Sequence, residues 1–336
     1  MKNNKFLNFI KKFPVIISTI IVAPALIYTG RYLLTDEYYF YNFFYEGEKL
    51  NVEDETFQLT KINKVANVYQ AAALFSYQGG ACYQNYYAIC TDSFEAVIIY
   101  NTKTMKIEHI INTGIVNTDW HCNQMFFGND FYSAHDKFPL LYISMESPKV
   151  HSTMVFRIYQ NGGLYYITNI QNIELGFDTD EGPIYFPNSY YDYDDGIIYY
   201  GGYTNNSYMK SDDNKLRFYT FTMPDYRLPD TTIYTSQAID TFELPSETAT
   251  QGGFISHHHL YQTFSFNSKT DPLKAPKMRV VNLETKTIIK DYQNLGEQFG
   301  VYEEFEHVAV DNDNRIFALG NPYNIYEFEY KAVIKQ

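Results

Sequence analysis

Several side chains in this 336-residue chain could do chemistry, and each kind of chemistry demands a particular placement. Glycan cleavage needs two carboxylates converging on one glycosidic bond, one acting as acid and the other as nucleophile or base. The candidates are Glu306 together with Asp119, Glu181, Glu303 and Glu304. His257-His258-His259 could hold a transition metal through imidazole nitrogens. On a hairpin turn, however, successive side chains diverge, and the run reads as a solvated turn. Asp311-Asn312-Asp313-Asn314 has the look of the first half of a calcium loop, but the sixth-position Gly and the closing Glu are missing. Turn chemistry accounts for it, as it does for Asp192, Asp194 and Asp195 before Gly196. No metal or cofactor is therefore assigned, calcium being kept as the minor alternative. No Ser-His-Asp order, phosphate-binding glycine loop or zinc spacing occurs. The three cysteines, Cys82, Cys90 and Cys122, show no C-x-x-C spacing and are expected as buried free thiols. A turn at Gln84-Asn85 sets Cys82 opposite Tyr87, so a bridge between Cys82 and Cys90 would need another register.

The elements that must position these groups are strands. Beyond about residue 55, short runs rich in Tyr, Ile, Val and Phe alternate apolar with polar residues, and sustained helical periodicity is hard to find. One phrase returns: Gln78 opens QGGACYQNYYAIC and Gln251 opens QGGFISHHHLYQT. Related hairpins start at Asn123 (NQMFFG), Asn188 (NSYYDYDDGIIYYGG) and Glu306 (EHVAVDNDNRIFALG). Two or more further strand-like runs follow each hairpin: EAVIIYNT and KIEHIIN in the first unit, PLLYISM, MVFRIY and YYITNIQNIEL in the second. KLRFYTFTM and TTIYTSQAIDTFEL complete the third, and KMRVVNL and KTIIKDYQ the fourth. A repeated four-stranded unit is the signature of a β-propeller blade. The fifth unit ends one strand short, at NIYEFEY, while FQLTKI, Phe57 to Ile62, stands alone before the first. That spare run is expected to close the ring as an outer strand, removing an open edge. The pattern predicts an all-β fold: five four-stranded blades over residues 56–336, closed by an N-terminal strand. A β-sandwich would not produce such a recurrence. In this it resembles five-bladed β-propellers, and the phrase AVDNDNRIFAL is similar to the hairpins of NHL-type blades. The resemblance implies an architecture and carries no catalytic signature.

In a propeller the residues leading into each inner strand surround one mouth of the central channel, where loops from all blades converge on a rigid frame. The repeats place Gln78, His121, Asn123, Asn188, Gln251, Glu306 and His307 there. All can form hydrogen bonds, and the competing reading is that they satisfy backbone groups at the strand ends. Gln78 and Gln251 are expected at equivalent positions of blades one and four. The function read from this ring is a binding or interaction module for a glycan or protein ligand. The alternative is a hydrolase or lyase, because five-bladed propellers include glycan-cleaving families. Among the ring positions only Glu306 is a carboxylate, and no second one shares its offset in another blade.

The N-terminus carries an address. Residues 1–12 form a basic tail, and FPVIISTIIVAPALIYT from Phe13 begins an uncharged apolar run. The segment 13–34 is expected as a signal anchor, with a cleaved signal peptide as the alternative because Ala23-Pro24-Ala25 offers small residues. Basic residues before it and acidic ones after place the N-terminus inside and the body outside the cytoplasmic membrane. Residues 35–55 read as a linker. Of the 26 basic residues five precede Asp36, the first acidic one, leaving 39 acidic against 21 basic side chains in the body. Such a surface repels phosphate backbones, which excludes nucleic-acid binding. The 34 Tyr and 26 Phe accord with strand preference and A/T-rich codons, without requiring a sugar-stacking surface. Asn205-Asn206-Ser207 fits a glycosylation sequon in a polar loop.

Overall fold

The computed structural model describes residues 45–52, 56–68, 76–115, 121–146, 151–266 and 270–332. The tail, the apolar segment 13–34 and the first part of the expected linker lie outside these residues. Among the described residues no helix is long and apolar enough to cross a membrane.

Strand β1 (Phe57–Asn67) opens the described strands. Blade 1 is β2 (Tyr77–Tyr83), β3 (Tyr86–Thr91), β4 (Ala96–Asn101) and β5 (Lys106–Asn112). Blade 2 is β6 (His121–Phe127), β7 (Leu141–Glu146), β8 (His151–Asn161) and β9 (Leu164–Gly176). Blade 3 begins with β10 (Tyr185–Asp192), β11 (Ile197–Tyr203) and β12 (Lys215–Thr222). Next comes β13 (Thr231–Tyr234), and then β14 (Asp240–Pro245) completes the blade. Blade 4 is β15 (Thr250–Ser256), β16 (His259–Phe264), β17 (Lys277–Asn282) and β18 (Thr287–Tyr292). Blade 5 is β19 (Phe305–Val310), β20 (Ile316–Gly320) and β21 (Asn324–Ala332), and β1 pairs antiparallel with β21 as its fourth strand. The five-bladed ring and its closing strand are thus as the sequence predicts. Strands β2, β6, β10, β15 and β19 neighbour one another around the axis.

Inner strands such as β2 and β19 are buried at every residue, whereas outer strand β5 alternates exposed and half-buried side chains. The core lies between blades. One apolar cluster joins Val97 and Ile99 of blade 1 to Phe127 and Ile143 of blade 2. The blade 4–5 cluster takes in Phe57, Leu59 and Ile62 of the closing strand.

Three features depart from the expectations. The run TTIYTSQAIDTFEL is not one strand: β13 leaves blade 3 and pairs in parallel with β9, making blade 2 five-stranded. Strand β9 is long enough to offer blade 2 an unpaired edge there, and β13 covers it. Cys90 and Cys122 form a disulfide rather than remaining free, because β3 of blade 1 faces β6 of blade 2. Cys82 alone is the free, buried thiol, and it lies opposite Tyr87 as expected. Residues 45–52, within the stretch read as a linker, lie across the channel mouth where the inner strands end. They bond to all five blades. Tyr45 N donates to the Asn129 carbonyl at 3.0 Å, and Gln84 N donates to Glu48 Oε1 at 2.8 Å. Lys49 pairs with Asp194, while Leu50 N and Asn51 N donate to Ser256 Oγ and Asn314 Oδ1, both at 2.9 Å.

Candidate functional site

All five inner strands shift register against their neighbours near the mouth where they begin. The shifts fall between Tyr77 and Gly80, Cys122 and Gln124, Tyr185 and Asn188, Thr250 and Gly253, and Phe305 and His307. Bulges bend a strand and re-aim its side chains. The residues inside them are Gln78 with Gly79, Asn123, Phe186 with Pro187, Gln251 with Gly252, and Glu306. In blades 1 and 4 the bulge also needs glycine. A Cβ on Gly79 would lie 3.1 Å from the Asn123 backbone, and one on Gly252 would lie 2.3 Å from the His307 ring. Neither position has room for a side chain, so the two Gln-Gly-Gly phrases serve the same geometry.

A cavity of about 350 Å³ opens at this mouth, lined by Gln78, His121, Gln251, Glu304, Glu306 and Asn321, with Phe186, Tyr203, Tyr208 and Phe266 among its walls. Four of the seven sequence-derived positions, Gln78, His121, Gln251 and Glu306, therefore meet in one place. Asn321 Nδ2 donates to Glu306 Oε1 at 2.7 Å and lies 3.4 Å from Glu304 Oε2, so both carboxylates gather at one amide. Gln251 Nε2 donates to Glu304 Oε1 at 3.2 Å. Burial raises the Glu304 carboxyl above the usual range, against smaller lowering contributions from Asn321, His121 and Gln251. Glu306 is 1% exposed. His121 is oriented by Asp92, whose carboxylate pairs with Nδ1. Gln78 is 5% exposed, and its Oε1 has no hydrogen-bond partner among the described residues. Opposite these groups Tyr208 meets Phe186 and Phe266 edge-on, at 5.8 and 5.3 Å between ring centroids.

The other three positions lie deeper. Asn123 Nδ2 donates across the channel to the Thr250 carbonyl at 3.3 Å. Below it Gln124 and the Gly253 backbone exchange two hydrogen bonds of 2.8 Å, which close the channel between blades 2 and 4. The cavity is a blind pocket for that reason. His307 is 1% exposed beneath this level, with Nδ1 3.2 Å from the Tyr87 hydroxyl. Burial pushes its pKa down to about 3, against the weaker upward pull of the Gly253 and Met125 backbone. Asn188 is fully buried and lines no part of the cavity. The blade 3 bulge, Phe186-Pro187, matches Gln78-Gly79 and Gln251-Gly252, so Phe186 holds the place at the mouth and Asn188 is the equivalent of Gly80 and Gly253, two residues deeper.

Glu303 accepts from Asn324 Nδ2 at 2.7 Å, and Glu181 lies beside Tyr219 at 3.4 Å, so both face away from the cavity. Asp119 lies outside the described residues. Sequence reasoning named Glu304 without pairing it with Glu306, and it missed Phe186, Tyr208, Phe266 and Asn321. Glu304 and Glu306 stand two residues apart at the start of β19, the spacing of one strand face, a signal that could have paired them. The Asp311 turn closes on itself: Oδ1 accepts from Asp313 N at 3.1 Å and Arg315 N at 3.0 Å.

No protein-family model matches the chain, and no curated protein matches it. Among solved structures, Myxococcus xanthus glutaminyl cyclase aligns over 81% of this chain and 97% of its own, with 9% identity and a TM-score of 0.46. The soluble aldose sugar dehydrogenase from Escherichia coli aligns over 83% and 100%, with 9% identity and a TM-score of 0.46. A glucose dehydrogenase gives 80%, 99%, 11% and 0.46. Likeness at this level carries no argument about chemistry, and the site must be read from its own residues.

Proposed function

We propose that this protein is an exported propeller, held at the cytoplasmic membrane by residues 13–34, whose mouth cavity binds a glycan unit. The observation that carries this reading is the two-sided lining. Hydrogen-bonding groups from blades 1, 2, 4 and 5 face one side, and the Phe186–Tyr208–Phe266 wall faces the other. A sugar presents hydroxyls at its edge and C–H bonds on its face, which suits such a wall. The volume lies at the small-ligand end of the usual range, whereas a protein partner would cover about 800 Å² per side. A glycan is therefore favoured over a protein ligand. Export is supported by the Cys90–Cys122 disulfide, since such bonds persist in oxidising compartments. Protease added to intact cells, or to spheroplasts where an outer membrane exists, should digest the body. Protection in both preparations would refute the address. N-terminal sequencing distinguishes a retained anchor from a cleaved signal.

A second reading has a specific support. Glu304, its carboxyl raised by burial, stands beside Glu306 at the same amide, and acid–base cleavage of a glycosidic bond requires two carboxyl groups brought to one place. The two readings separate in a glycan array followed by product analysis. Binding without products supports a recognition module. Turnover that disappears in Glu306→Gln supports a hydrolase or lyase and refutes the first reading. Neither binding nor turnover across the array contradicts both.

A further inference from the structure

The histidine turn of blade 4 and the acidic turn of blade 3, set aside separately in the sequence, meet at the mouth opposite the cavity. His258 Nδ1 lies 2.9 Å from Asp192 Oδ2 and 3.6 Å from Asp195 Oδ2, and His257 Nδ1 lies 3.9 Å from Asp194 Oδ2. One ligand atom from each of Asp192, Asp194 and His258 falls within 4.8 Å of the others. We infer that these three residues form a divalent transition-metal site between blades 3 and 4.

The same hairpin position in blade 5 makes the case by contrast. There Asp311 is followed at the fourth position by Arg315, whose Nη2 lies 2.7 Å from Asp311 Oδ2, and Thr102 of blade 1 completes the shell at 2.8 Å. The acidic turn neutralises itself. In blade 3 the fourth position after Asp192 is Gly196, and Asp195 stands where blade 5 has Asn314. Three carboxylates therefore share no cation from their own turn. What approaches them comes from elsewhere: His258 from blade 4, and the ammonium of Lys49, which pairs with Asp194 from the segment crossing the mouth. Asp192 is 1% exposed, so one ligand is fixed in the protein, while Asp194 and His258 are partly open to solvent and give an ion a way in. Asp194 and Asp195 also line a cavity of about 630 Å³, whose wall includes Asn129. That residue is 8% exposed, and its Oδ1 has no hydrogen-bond partner among the described residues.

Two carboxylates and one imidazole suit zinc and its first-row neighbours, with a fourth position left for water. Calcium, which takes six to eight oxygens, would gain little from an imidazole. On binding, the proton shared by His258 Nδ1 and Asp192 passes to solvent and the metal takes both atoms. Lys49 yields Asp194 to the ion. The lysine is thus a competitor, and its removal should strengthen binding, whereas in a simple interblade clamp it would have no such effect.

The test is calorimetric titration of zinc chloride into the chelator-treated full chain, with calcium chloride in parallel. One equivalent of zinc is expected to bind. His258→Gln and Asp194→Asn should each weaken it about tenfold or more, and Lys49→Ala should tighten it. Zinc should raise the melting temperature of the unsubstituted protein and not that of the two ligand variants. Absence of saturable zinc binding overturns the inference, as does one equivalent held equally by the unsubstituted protein and both ligand variants. Calcium binding as tight as zinc, and unaffected by His258→Gln, overturns it too. Each variant's melting temperature without metal checks its fold. Lys49→Ala removes no ligand, so if the ligand variants do not fold, unchanged zinc affinity in Lys49→Ala decides against the site.

Discussion

Acidification should act through His307. This imidazole is 1% exposed between blades 1, 2 and 4, and burial lowers its pKa from 6.5 to about 3. In the unfolded chain the ring takes up its proton near the ordinary value, so between the two pKa values the unfolded state binds more protons than the folded one. Stability from this group is therefore fully present above about pH 6.5 and is lost as the pH falls toward 3. A tenfold difference in proton affinity between the two states is worth about 1.4 kcal/mol. Linkage then gives a loss of about 2–3 kcal/mol between pH 7 and pH 4.5, and about 4 kcal/mol by pH 3. Against a usual total of about 5–15 kcal/mol that is a large fraction. Glu304 works in the opposite sense: with its folded-state pKa raised, the folded protein takes up that proton first and gains stability as the pH falls. The assay is urea unfolding at about pH 7 and 4.5, for the unsubstituted protein and for His307→Gln. A glutamine can still meet the Tyr87 hydroxyl but does not titrate, so the difference in slope isolates the imidazole. Equal losses in the two proteins would rule out the imidazole as the cause.

Other parts of the molecule give equally direct expectations. Deleting residues 56–62 removes Phe57, Leu59 and Ile62 from the blade 4–5 core, about 5–8 kcal/mol of burial, and a melting curve unchanged by the deletion would contradict the closing-strand role. Glu247 is 1% exposed beside Lys277 at 2.7 Å and Arg279 at 3.1 Å. Glu247→Gln should cost about 3–5 kcal/mol in denaturant unfolding by leaving buried cations unbalanced, and a loss below about 1 kcal/mol would refute that. Reducing the Cys90–Cys122 bridge, which spans 32 residues, should cost about 3–4 kcal/mol, to be checked by melting with and without reductant.

How much could be read from the chain follows from where each residue sits. The blade count rested on recurring hairpins and on outer strands such as Lys106–Asn112, half of whose side chains meet water and therefore alternate. The inner strand Tyr77–Tyr83 is buried on both faces and shows no such alternation, so only its glycines and its repetition mark it. Its glycines are needed because neighbouring strands approach at the bulge, and that also made Gln78 and Gln251 recognisable as equivalents. Asn188 was misplaced because Phe186-Pro187 shares no residue type with the Gln-Gly at the same place in blades 1 and 4, so nothing in the sequence marked Phe186 as the equivalent of Gln78. The disulfide joins strands of different blades, and no local register argument could bring Cys90 to Cys122. Pairing of TTIY with blade 2 depends on the length of β9, a tertiary circumstance. The Asp192–His258 contact likewise needs two turns from separate blades.

If the polar mouth is a ligand site rather than a set of strand-end props, Gln78 is the residue that separates the two cases most sharply. Its Oε1 has no hydrogen-bond partner among the described residues, and its Nε2 reaches only Ser76 Oγ at 3.4 Å. Truncation to Ala therefore removes little from the folded protein, whereas a prop would leave a buried group unpaired and cost about 1–3 kcal/mol. The measurement is calorimetric affinity for an array-selected glycan, with melting temperature recorded on the same Gln78→Ala sample. A ligand site predicts affinity reduced about tenfold, with melting within about 2 °C of the unsubstituted protein. Unchanged affinity with a melting temperature lowered by several degrees would contradict it.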